Sequence, residues 1–117
     1  MPEHATFRDD LLCALRLAAR SLTENRTMVQ SLMEAARHDP ALAREVRRQI
    51  TDPQDAMWSE LAARWRGRGG VRGVDLVWLH DVCDGILLGQ LLPTARPLTD
   101  EYLVRFTDEV LVPAFTR

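Results

Sequence analysis

The groups in this sequence that could move protons or hold a metal are three histidines, two cysteines and seventeen carboxylic acids. The densest grouping is Asp81 and Asp84 with His80 beside them. Carboxylates paired near an imidazole can exchange protons with a substrate. Three apart on a helix, however, the two acids are expected to face solvent or to meet arginines. His4, His38 and His80 lack the H-x-x-x-H spacing of a helical metal site, and no Glu-x-x-His pair exists. Cys13 and Cys83 have no C-x-x-C partner, so no zinc site is expected. Ser21, Ser31 and Ser59 lack the surroundings of an activated nucleophile. The run from Gly67 to Arg72 nearly fits G-x-G-x-x-G, but Arg72 replaces the last glycine and no strand precedes it. There is no lysine, which removes Schiff-base and phosphate-loop chemistry. No catalytic residue, metal or cofactor is therefore expected. A small helical enzyme using Asp81, Asp84 and His80 is the lesser alternative.

The chain around these groups has 117 residues, enough for a single domain with a real core. It is 46% hydrophobic and 27% charged, with a formal net charge of -2. Leu and Ala together number 30, against 11 for Val and Ile, which favours an all-α fold. Residues 41–72 carry an excess of +3, a weak footprint for nucleic acid; arginines solvated on helix faces explain it better. Cys13 and Cys83 sit in apolar patterns and read as buried free thiols. No apolar run follows Met1, and the charge-free stretch from Gly85 to Ala95 falls short of the ~20 residues that span a bilayer. A cytoplasmic protein is expected.

Helix-start chemistry recurs along the chain and predicts a bundle of six helices, near 7–22, 26–37, 40–51, 53–66, 75–92 and 99–112. Thr6 with Asp9 resembles a capping box. Asp39-Pro40 and Asp52-Pro53 each place a cap before a proline at the first helical position. Asp75 and Thr99 cap the last two helices, and Pro93 and Pro113 end them. Four glycines within residues 67–74 mark a loop.

The fifth helix is apolar on two sides. Trp78, Val82, Gly85, Leu88, Gly89 and Leu92 share one side, while Leu76, Leu79, Cys83, Ile86 and Leu87 share the other. One bundle core covers one side only, and the other is too large a patch to leave in water. A homodimer is therefore expected, built on Val82, Gly85, Leu88, Gly89 and Leu92 of the fifth helix. Leu103, Phe106 and Val110 of the sixth would widen that surface. Gly85 and Gly89, four apart, would let a second backbone come close.

Several segments resemble the TetR family of bacterial transcriptional repressors. Leu32-Met33-Glu34-Ala35-Ala36-Arg37-His38-Asp39-Pro40-Ala41-Leu42-Ala43 is similar to a segment between two helices of its regulatory domain. The junction from Leu61-Ala62-Ala63-Arg64 to Gly73-Val74-Asp75, the helix Cys83-Asp84-Gly85-Ile86-Leu87-Leu88-Gly89, and the start Pro97-Leu98-Thr99-Asp100-Glu101 follow in the family's order. The resemblance implies an effector-binding and dimerisation domain that passes a ligand signal to attached DNA-reading heads. Nothing here resembles the family's helix-turn-helix: there is no lysine, and Tyr102 is the only tyrosine. No DNA binding by this chain alone is expected, and no membrane partner. A headless partner that modulates full-length regulators is the alternative role. For the effector, the apolar and aromatic residues Met28, Leu32, Met57, Leu61, Trp65 and Trp78 are the candidates, which would suit a hydrophobic small molecule.

Overall fold

The computed structural model describes residues 6–68, 70–72, 76, 78–91 and 96–116. Among these the fold is all-α: α1 (Phe7–Glu24), α2 (Arg26–Ala36), α3 (Pro40–Val46), α4 (Asp52–Trp65), α5 (Leu79–Leu91), α6 (Asp100–Phe106) and α7 (Val112–Phe115). The expected caps form where local chemistry places them. The Thr6 hydroxyl accepts the Asp9 N–H, Asp39 accepts from Ala41 and Leu42, and Thr99 accepts from Tyr102. Asp75 and Pro93 lie outside the described residues.

Two expected breaks are not breaks. Residues Arg47–Thr51 form a π-helical turn that joins α3 to α4, and Thr107–Leu111 form another that joins α6 to α7. Asp52 is helical and donates its N–H to the Arg47 carbonyl, five residues back; Val112 does the same to Thr107. Each turn directly precedes an X-Pro pair. In an α-helix the Pro53 and Pro113 rings would clash with the carbonyls four residues earlier. The wider π turn makes room for each ring, so the helix continues past the proline.

α1 lies at the centre. It buries Phe7, Leu11, Leu12, Ala14, Leu15, Ala18, Ala19 and Leu22, and packs on α2, α4, α5 and α6. Its exposed edge is tied to α6 and the turn beyond it by two surface ion pairs, Arg16–Asp100 at 2.6 Å and Arg8–Asp108 at 2.8 Å. These hold the Asp100 and Asp108 carboxyls below the usual carboxylate range, chiefly through their arginine hydrogen bonds. Inside, Asp10 is fully buried on α1, where it meets Arg64 Nη1 at 2.9 Å and accepts the Trp65 indole N–H. That α1–α4 junction also packs Phe7 against Trp65 in a tilted pair, with ring centroids 6.0 Å apart and planes at 58°.

After α4 the chain turns through Gly67 and Gly70, whose φ angles of 73° and 76° favour glycine. Val71 then bridges to Thr116, and Arg72 caps α7 by donating to the Phe115 and Ala114 carbonyls. Among the described residues no helix is long and apolar enough to cross a membrane.

Both cysteines are free thiols. Cys83 is buried on α5, and burial, with a smaller push from Asp84, drives its thiol well above the ordinary range. Cys13 is only half-buried. A brief iodoacetamide pulse on the native protein is expected to modify Cys13 and spare Cys83, as read by mass spectrometry. Equal modification of both would contradict this packing.

Candidate functional site

α5 divides its two apolar sides unequally. Leu79, Cys83, Leu87 and Leu91 are buried against the protomer's own core. Trp78 is 62% exposed, Gly85 and Gly89 are exposed, and Val82, Ile86 and Leu88 are half-buried. Among the described residues, a Cβ added at Gly85 or Gly89 would meet nothing within 4 Å. Nothing among the described residues therefore requires either glycine, although glycine costs a helix interior about 1 kcal/mol relative to alanine.

Alongside this face runs an open trough of about 500 Å³ between α5 and α6. Ile86, Tyr102, Phe106 and Val110 form its apolar floor, and Arg105 and Glu109 pair along its rim at 3.4 Å. Tyr102 and Phe106 stack nearly parallel, 6.5 Å apart. Of the residues expected to form a dimer surface, Val82, Gly85, Leu88, Gly89 and Val110 lie on or beside this face. Leu92 is outside the described residues. Leu103 is a correction: it does not lie there but is buried in the protomer's core, because α6 turns that side toward α1. Phe106 is also largely buried, 6% exposed, and reaches the face only as part of the trough floor. Ile86 and Tyr102 occupy the surface instead. Tyr102 was hidden in sequence because a half-polar aromatic at a helix start is equally at home in solvent.

The six effector candidates do not come together. Leu61 and Trp65 are closed into the core, and the Trp65 N–H is already used by Asp10. Met57 packs half-buried against that core. Met28, 51% exposed, and Leu32 line a depression of about 310 Å³ between α2, α3 and the first π turn. Trp78 lies exposed just before α5. Their helical spacing reflected packing against different neighbours rather than a shared cavity.

A polar cluster does assemble, between α4 and the start of α5. His80 Nδ1 lies 2.7 Å from Asp55 Oδ1 on α4 and 3.6 Å from Asp81 Oδ1. His80 Nε2 lies 3.3 Å from Asp84 Oδ2, but poorly aligned for a hydrogen bond. Asp84 thus meets the imidazole rather than solvent or an arginine, whereas Asp81 is exposed as expected. Asp55 could not be foreseen, because its pairing with His80 depends on how α4 lies against α5. Among the described residues no group of three His, Cys, Asp or Glu is arranged to hold a metal ion.

Burial raises the Asp84 carboxyl above its ordinary range; His80 opposes this, while Asp55 and Asp81 add to it. The fold therefore favours the protonated acid. That contribution is complete below the unfolded pKa of about 3.9 and is lost as pH rises through the higher folded value. Asp84→Asn is expected to melt above the wild type at neutral pH, with the gap closing as pH falls to about 4. A gap that stays constant with pH would show that the carboxyl's charge does not matter.

The described residues thus form an all-α bundle whose α5–α6 face carries exposed and half-buried apolar groups. The chain belongs to the tetracyclin repressor-like C-terminal domain family, whose model matches residues 1–110. It is 34% identical over 111 residues to a DNA-binding transcriptional repressor TetR of Mycobacteroides abscessus, covering 91% of this chain and 56% of that protein. It is 24% identical over 119 residues to uncharacterised HTH-type transcriptional regulators of Mycobacterium bovis and Mycobacterium tuberculosis, covering 99% of this chain and 58% of each. The chain thus spans little more than half the length of the curated relatives it matches. These relatives are named as transcriptional regulators, not enzymes. No solved structure matches.

Proposed function

We propose that this chain is the regulatory and dimerisation domain of a TetR-like transcriptional regulator. Two copies pair through the outer face of α5 and the adjoining surface of α6. The observation that carries this reading is the pair Gly85 and Gly89, open to solvent among Trp78, Val82 and Ile86. A twofold mate laid across this face would bring a helix close over the glycines and cover the neighbouring apolar groups. The paired domains would hold DNA-reading heads at a set separation, and an effector would act by favouring one arrangement of the bundle over another. It can do so only through a difference in affinity for the two.

Sedimentation equilibrium tests the pairing. The chain is expected to behave as a dimer at tens of micromolar, a concentration about ten times above a micromolar Kd. A monomer throughout that range would end the proposal.

A further inference from the structure

The hairpin of α2 and α3 is weakly anchored to the rest of the fold. Between them the two helices bury a single residue, Val29 on α2. α1, by contrast, is lined with buried leucines and alanines, and α4 buries Trp58, Leu61, Ala62 and Trp65. We propose that α2 and α3 open together as a flap while α1, α4, α5 and α6 stay folded. Its hinges are Asn25 on one side and the π turn Arg47–Thr51 on the other.

Three observations support it. The first is burial. Segments with few buried apolar groups open at a lower free energy than the core. Leu32, Leu42 and Val46, on the inner side of the hairpin, are only half-buried and line the depression of about 310 Å³. The second is how the hairpin is tied. Among the described residues its ion pairs and side-chain hydrogen bonds close on themselves. Glu34 pairs with Arg37, Asp39 caps α3, and Glu45 takes Arg48 and Gln49 of the π turn. The other helices are cross-tied, by Arg16 to Asp100, Arg64 to Asp10 and His80 to Asp55. The third is Arg26, at the first position of α2. Its Nε is shut off from water and has no hydrogen-bond partner among the described residues. A buried donor left unpaired costs free energy that opening to water would recover.

The hinges suit the motion. Asn25 alone separates α1 from α2, and no side chain caps the start of α2. On the other side, a π turn is among the few places where a helix bends sharply. On the regulatory reading above, the flap is the element whose open and closed positions an effector would favour unequally. That role rests on the reading; the opening itself does not.

Hydrogen exchange of the whole chain, followed by mass spectrometry, tests the flap. Interior amides of α2 and α3 are expected to exchange at least about tenfold faster than those of α1 and α4. Val29→Ala should speed exchange in both α2 and α3 several-fold, although the change lies in α2 alone. Arg26→Met, which keeps the apolar stem and removes the stranded nitrogen, should slow both. Asp10→Asn weakens a contact that survives when the flap is open. It should therefore speed α1 and α4 and leave α2 and α3 as they are. Equal protection of all four helices would overturn the proposal. So would a Val29→Ala effect confined to α2, no slowing by Arg26→Met, or an Asp10→Asn effect as large in α2 and α3 as in α1. Sedimentation reads the pairing separately: a monomer whose flap opens removes the regulatory reading and leaves the flap.

Discussion

If two copies pair as proposed, Gly85→Arg is expected to leave a folded monomer. The side chain has room in the protomer, since no atom of the described residues lies within 4 Å of the Cβ position. It has none if a second α5 crosses there, and two copies would place like charges against each other at a twofold axis. Blocking the centre of an interface costs on the order of 2–4 kcal/mol or more, a Kd raised at least about thirtyfold. The Gly85→Ala variant sharpens the reading because its two effects have opposite signs. The isolated helix gains about 1 kcal/mol from the better helix former, while the extra methyl holds the partner helix off. Thermal melts at high dilution should therefore rise as the dimer weakens. An arginine variant that sediments like the wild type would place the interface elsewhere.

Asp10→Ala is expected to be the most destabilising single change in the domain. Asp10 is 0% exposed, and it satisfies both the Arg64 guanidinium and the Trp65 indole N–H. Removing it leaves a mostly buried cation short of its partner and an indole donor without an acceptor. Breaking such a pair costs about 3–5 kcal/mol, part of which Arg64 can recover through Glu60, 3.1 Å away on the same helix. A fall in melting temperature of about 10–20 °C follows for a domain of this size. Asp10→Asn should lose less, since its amide oxygen can still accept from Trp65. Urea unfolding with an unchanged slope would assign the loss to the folded state. A loss below about 1 kcal/mol would mean that Arg64 is adequately served without Asp10.

The starts of α1, α3 and α6 were legible in the chain because each cap is settled within one turn. Thr6, Asp39 and Thr99 need only a backbone N–H two or three residues on, whatever the rest of the protein does. The all-α class followed from the same local scale, through leucine- and alanine-rich stripes. The motifs resembling TetR regulatory domains were legible too, and the family match confirms them. Asp52-Pro53 and Val112-Pro113 are where local reasoning stopped working. A proline signals a break by itself, but here each proline follows a wider π-helical turn and the helix continues through it. The same limit explains α5. Its two apolar sides are equivalent on paper, and only the placement of α1 and α4 buries Cys83 and Leu87 while leaving Gly85 and Gly89 outside. Asp55 and His80 show it most plainly. They are twenty-five residues apart and share no pattern, so their 2.7 Å contact exists only because α4 lies against the start of α5. Capping and periodicity depend on neighbours in sequence, whereas the buried face and the polar cluster depend on neighbours in space.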